Sequence, residues 1–359
     1  MDNKFKFHSF DALRFFSFLF VFLSHLPYKF FPKNPLTILD ERGRIGVYYF
    51  FTLSGFLITY ILLSEKTATN QINFKNFMIR RILRIWPLFY LMILFAFCSS
   101  YLITYLNISS LDLGYEPNWL ISCLFLENYS IIWHNQSPNF ASLGVMWSLC
   151  VEEHFYIIKG SILFFIKIKH IPYTIVLLLI LSSVSKYIFL IYNLGFHEIL
   201  TNLDFFMFGA IPAYLFVTNN KKTILFVDSI SNKLKVFFIL ITLFVVFFSY
   251  LFKFSVLFEQ LLYGFLFSGI LFIFLPQENR FIISNNNIFS KLGVYTYGLY
   301  LIHIISISAL KQFFIKFSIP FEGNFIIFTL GSFIITIFAS YLTFHYFESP
   351  FLRLKKYFQ

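Results

Sequence analysis

Ten apolar runs, near 8–27, 44–63, 82–106, 144–166, 171–192, 200–217, 236–252, 257–275, 292–315 and 325–347, decide what this 359-residue chain can fold into. A helix needs roughly 20 mostly apolar residues to cross the hydrocarbon of a bilayer, and each run is about that long. The runs are nearly uninterrupted, whereas the strands of an outer-membrane barrel alternate apolar and polar positions over about 10 residues. The predicted fold is an all-α polytopic membrane protein, about ten transmembrane helices around a polar cavity, in a single membrane domain over 1–359. Only 13% of the residues are charged, about half of what a soluble surface carries, and the mean hydropathy is +0.74.

The formal charge of +11 would suggest nucleic acid in a soluble protein, but here the basic residues sit between the apolar runs. There they act as topology signals. With the N-terminus inside, alternate connections hold 18 Lys and Arg, and the opposite set holds 8. Both termini are therefore expected in the cytoplasm, in an inner membrane. The 107–143 stretch has Asn118, Asn128, Asn135, Asn139, Pro117 and Pro138 but no Lys or Arg, and reads as an extracytoplasmic loop. Within it, Trp119–Trp133 is an amphipathic piece suited to the membrane interface. The first run has no small-residue cleavage site after it and reads as a retained helix. Cys98, Cys123 and Cys150 are odd in number and lack metal-ligand spacing, so neither a disulfide framework nor a metal site is expected. No internal repeat is evident, which weakens an inverted-repeat transporter reading.

Chemistry is sought among polar residues inside these runs, because an ionisable group there costs about 2.5–3.5 kcal/mol on insertion scales and needs a partner or an aqueous cavity. The first run carries Asp11, Arg14 and His25. Arg14 and His25 are eleven positions apart, about 20° past three helical turns, so the two share a face roughly 16 Å apart. Asp11 lies one turn before Arg14 and can neutralise it. A snorkelling arginine with an interfacial histidine fits these residues equally well.

Five further motifs follow in order: GVYYFFTLSGFLIT (46–59), RRILRIWPLFY (80–90), WSLCVEEHFY (147–156), LGVYTYGLYLIH (292–303) and YFESPF (346–351). With Arg14 and His25 they give the chain a pattern, from Asp11 to Pro350, that resembles the acyltransferase-3 family of integral membrane acyltransferases, of the O-antigen and surface-polysaccharide O-acetyltransferase type. Arg14 and His25 match the family's Arg/Lys, ten residues, His motif; Arg81 and Arg84 look like its arginine pair.

The resemblance implies an O-acyltransferase, most simply an O-acetyltransferase, using acetyl-CoA from the cytoplasmic side to acylate a hydroxyl of a lipid-linked or surface glycan at the outer side. His25 would be the catalytic base, since a neutral imidazole can take a proton from a hydroxyl attacking a thioester; an acyl-imidazole at His25 is the variant. Arg81 and Arg84 would clamp the phosphates of the acyl-CoA, or serve only as positive-inside anchors. Glu152 and Glu153 would orient His25 or Arg14 and hold the acceptor, or pair structurally with Arg14. Trp147 offers a ring for a sugar or an interfacial anchor, and Asp11 and Tyr297 complete the expected substrate contacts. Tyr295, Tyr297, His303 and Glu348 would line the cavity or brace it. Ser54-Gly55 reads as a helix-packing pair.

Two positions depart from the family pattern: His154 stands where Gln is common and Tyr48 where Asp is common. No appended extracytoplasmic domain is expected after 351, so a separate periplasmic partner is a possible completion of the transfer. The rival readings are a transporter or flippase for a glycan or acyl donor, and an assembly subunit for polysaccharide export without acyl transfer.

Overall fold

Asn73 marks where propensity overrides hydropathy: its side chain accepts the amide of Asn76 at 2.9 Å and starts a helix eight residues before the apolar run begins. The computed structural model describes residues 7–32, 34–40, 42–105, 114–276 and 281–358; Lys4, Lys6, Lys33, Arg280 and the 107–113 part of the expected loop lie outside the described residues. The described chain forms α1 (His8–Ser24), α2 (Gly43–Thr69), α3 (Phe74–Tyr105), α4 (Trp119–Cys123), α5 (Glu127–His134), α6 (Ala141–Gly144), α7 (Trp147–Phe165) and α8 (Ile171–Ile191). It continues as α9 (Leu203–Thr218), α10 (Asn220–Ser229), α11 (Asn232–Phe248), α12 (Val256–Ile273), α13 (Ile288–Gly293), α14 (Thr296–Lys316), α15 (Phe325–Thr343) and α16 (Ser349–Leu354). Among the described residues the one extended pairing is an isolated bridge between Tyr115 and Pro138.

Among the described residues each of the ten expected runs is largely helical, and eight helices are long and apolar enough to cross a membrane. The other two are α1, which has 17 residues, and α7, which carries Glu152, Glu153 and Lys159. The described part of 107–143 is folded rather than irregular. Asn118 caps α4 by accepting the Leu120 amide at 2.9 Å, Phe125 at φ +59° divides the Trp119–Trp133 piece, and α5 follows. Buried Glu127 accepts hydrogen bonds from Tyr115 and Ser122, while Trp119 and Trp133 stay exposed.

The chain contacts group into two bodies. The first takes in the chain up to Ser17, Arg44–Ile72 and Phe155–Val294. In lipid there is little hydrophobic drive between helices, so close packing and polar contacts must hold them. Gly55 and Gly209 supply the closeness. A Cβ on Gly55 would sit 2.1 Å from the Phe206 carbonyl oxygen and one on Gly209 1.9 Å from that of Thr52, so α2 and α9 touch backbone to backbone. Phe206 stacks on Phe155 with ring centroids 3.9 Å apart. Lys186 of α8 pairs with Asp204 of α9, fully buried, and Ser182 donates to the same carboxylate at 3.2 Å. Lys66 donates to the Leu163 and Ile166 carbonyls at 2.5 and 2.6 Å, satisfying groups that the end of α7 leaves open. In the 192–199 connection, burial and the neighbouring Arg44 push His197 down to about 3, so it stays neutral and its Nε2 accepts from Arg44 at 3.0 Å.

The second body comprises Phe18–Gly43, Asn73–His154 and Tyr295–Gln359. Its core is α3 residues Leu88, Phe89, Met92 and Ile93 packed with Leu149 and Leu301. Tyr300 ties α14 to the start of α7, its hydroxyl 2.7 Å from the Ser148 Oγ and donating to the Val145 carbonyl at 3.1 Å. Beyond α15 the chain makes a π-helical turn over Phe344–Glu348 before α16, and this turn leaves Glu348 buried.

Candidate functional site

Seven of the nine expected site residues fall in the second body: His25, Arg81, Arg84, Trp147, Glu152, Glu153 and Tyr297. Asp11 and Arg14 fall in the first, where they form the expected ion pair one turn apart on α1.

His25 follows the last residue of α1. Its Nδ1 lies 2.8 Å from the Val21 carbonyl oxygen. A carbonyl can only accept, so Nδ1 carries the hydrogen and Nε2 keeps a lone pair, the tautomer a base requires. The ring is exposed even though protein surrounds it. Gly43 keeps the space beside it clear, since a Cβ there would meet the Ser24 Oγ at 2.3 Å and the His25 ring at 3.4 Å. Asp40 is the carboxylate that acts on the imidazole, and the His303 ring lies 5.1 Å away, centroid to centroid, at 74°. Neither Gly43 nor Asp40 belongs to a motif, and only folding brings them to His25.

Because α3 starts at Phe74, eight residues before the apolar run, Arg81 and Arg84 lie about two to three turns inside it. Arg81 sits over the Phe77 ring at 5.6 Å and also acts on buried Glu153, whose other polar neighbours are Trp86 and Glu152. Arg84 acts on Glu348, placed by the π turn. Lys355 lies within electrostatic reach of Arg80, Arg81, Arg84 and Glu348, and Arg80 donates to the Phe358 carbonyl at 2.5 Å. Three arginines and Lys355, grouped with two carboxylates, make a basic cluster suited to a polyanion. Arg80 and Lys355 were counted in the sequence only as topology signals; their proximity comes from packing of the chain end on α3.

Trp147 is buried at the start of α7. Tyr297 donates to the Ile85 carbonyl at 2.6 Å, bracing α14 against α3. Tyr295 lies 3.3 Å from the His345 Nε2. Of the two departures, Tyr48 accepts from the Gln260 amide at 3.2 Å and stacks on Phe205, while the His154 ring lies 5.8 Å from that of Tyr129.

A multi-helix membrane protein with a tautomer-fixed histidine and a basic cluster defines the class, and the sequence profile of the acyltransferase domain matches residues 7–345. The chain belongs to the acyltransferase-3 family. It is 32% identical over 161 residues to peptidoglycan O-acetyltransferase OatA of Listeria monocytogenes, covering 43% of this chain and 24% of that one. It is 35% identical over 153 residues to YrhL of Bacillus subtilis, named as a candidate peptidoglycan O-acetyltransferase, covering 41% and 22%. A candidate O-acetyltransferase of Staphylococcus aureus strain COL is 26% identical over 370 residues, covering 96% and 57%. This chain thus spans about a quarter to a little over half the length of these relatives. No solved structure matches it.

Proposed function

We propose that this chain is a membrane O-acetyltransferase that moves an acetyl group from acetyl-CoA to a hydroxyl of a cell-surface or lipid-linked glycan. His25 carries the reading: its Nδ1–H is spent on the Val21 carbonyl, and its exposed ring offers Nε2 as a base. Family membership and the relatives' names support the chemistry and a glycan acceptor. In the proposed step His25 Nε2 takes the proton of the acceptor hydroxyl, the oxygen bonds to the thioester carbonyl carbon, the C–S bond breaks, and coenzyme A leaves as a thiolate that receives the proton. A thiolate needs little acid assistance, so one base with the donor held beside it suffices.

Arg81 and Arg84, joined by Arg80 and Lys355, hold the donor's phosphates. Glu152 and Glu153 hold the acceptor, with Trp147 about one and a half turns earlier on α7. The donor is taken from the cytoplasm and the acceptor from the outer face of an inner membrane, in keeping with the 18 to 8 charge asymmetry.

Replacing Arg81 and Arg84 together by glutamine is expected to weaken acetyl-CoA binding roughly ten- to a hundredfold, the loss of one charge-assisted hydrogen bond or more, with acceptor binding retained. Equilibrium binding of acetyl-CoA to the detergent-purified variant checks this. Unchanged affinity in a correctly inserted double variant leaves the arginines as topology anchors. Protein that translocates a glycan without consuming acetyl-CoA supports the transporter reading.

A further inference from the structure

His303 is wholly buried in the first half of α14, and its ring neighbours Phe18, His25 and Tyr300 lie with it inside the second body. Its Nδ1 is bonded to the Tyr300 carbonyl oxygen, which again fixes the hydrogen on Nδ1. The Nε2 lone pair is left pointing into protein with no hydrogen-bond partner among the described residues. A buried acceptor without a donor is costly and calls for an explanation. Phe18 closes one side of the ring, with centroids 5.9 Å apart, and Tyr300 another, at 5.7 Å. The remaining aromatic neighbour is His25, at 5.1 Å. The two imidazoles meet in a T-shaped arrangement, their planes 74° apart.

We infer that His303 is a positioning residue for His25: it holds the ring in place and stabilises the imidazolium that forms there. The inference rests on the reading of His25 as the base. As the acceptor hydroxyl gives its proton to His25 Nε2, the His25 ring becomes cationic. The Val21 carbonyl already holds Nδ1–H, and the electron-rich ring of His303, with its unspent lone pair, is a further neutral group beside that charge able to stabilise it. The proton stays on His25 until the thiolate takes it, and His303 neither gains nor loses one. A neutral partner suits this place, since a carboxylate buried at the same depth would be far more expensive to install. Asp40, just past the short helical turn at 35–39, is the charged group facing the pair, and the Tyr300 phenol faces His303 from its own helix.

Two variants separate this role from packing. His303→Phe keeps an aromatic ring but removes the acceptor nitrogen; His303→Gln keeps a neutral acceptor but loses the ring. Acetyl transfer is measured against pH in purified protein, with folded fraction and acetyl-CoA affinity measured alongside. His303→Phe is expected to lower kcat about tenfold at unchanged donor affinity and to move the acid limb of the rate profile to lower pH, because a less stabilised imidazolium forms less readily. His303→Gln is expected to recover part of the loss. A His303→Phe enzyme with native kcat and an unmoved acid limb overturns the inference. Should both variants fail to fold, nitrogen-15 spectra of histidine-labelled native protein decide: a protonated Nδ1 and bare Nε2 at His303 uphold it, and the opposite tautomer overturns it. His25→Ala protein with native turnover would instead remove the reading of His25 as the base, a distinct failure.

Discussion

Lys186 and Asp204 pair where neither is touched by solvent, so each depends on the other to remain charged. Breaking such a pair by removing one partner costs about 3–5 kcal/mol, whereas replacing both with apolar side chains is often neutral. Asp204→Asn should therefore lower the thermal stability of the detergent-solubilised protein sharply, and Lys186→Met with Asp204→Leu should return most of it. Equal losses in the single and double variants would mean the site is held by shape and not by charge. The pair was illegible in the sequence because 18 residues and a helix turn-around separate its members. Asp11–Arg14, by contrast, was legible from its three-residue spacing on one helix. His25 was singled out for its place in an apolar run, but its tautomer, and its neighbours Asp40 and His303, depend on side-chain packing that no spacing reveals.

Helix α3 shows how far hydropathy reads an element. Its apolar run from 82 is legible, and its first two turns, where Lys75, Asn76, Arg80 and Arg81 interrupt the apolar residues and Asn73 caps the end, are not; Arg81 and Arg84 therefore lie inside the helix. The π turn before α16 was likewise invisible, and it is what turns Glu348 toward Arg84. The small-residue signal at Ser54-Gly55 read correctly as close helix packing, but its counterpart, Gly209 on α9, carries no mark of its own. Gly209→Leu should force α2 and α9 apart and destabilise the protein by at least the 1–3 kcal/mol typical of overpacking. Gly144→Ala, whose Cβ would meet only the Pro138 Cδ at 3.9 Å, should be near neutral. Melting curves of both variants measure the contrast, and equal stability would mean the α2–α9 approach is not needed.

For the whole molecule, the alternation of apolar runs and basic connections gave an all-helical membrane protein. The two helices that fail a strict length-and-charge test, α1 and α7, hold Asp11, Arg14, Glu152 and Glu153, and α1 ends one residue before His25. α1 falls short by its length of 17 residues, and α7 by its three charged side chains, Glu152, Glu153 and Lys159. The orientation can be tested on either side of α3. Cysteines at Glu116 and Lys75, both exposed, in a protein lacking Cys98, Cys123 and Cys150, should differ in reaction with an impermeant thiol reagent applied to intact cells. Labelling at Glu116→Cys alone is expected, and labelling at Lys75→Cys alone would invert the topology.

The most direct test of the central claim is acetyl transfer from labelled acetyl-CoA to glycan by His25→Ala protein, normalised to folded enzyme. The substitution removes a polar ring at the end of α1 and leaves the basic cluster on α3 untouched, so folding and donor binding should persist. Turnover should fall by about 10²–10⁴, the contribution of a positioned base. Near-native turnover in His25→Ala, together with its loss in Glu153→Ala, would contradict the account and move the base to α7.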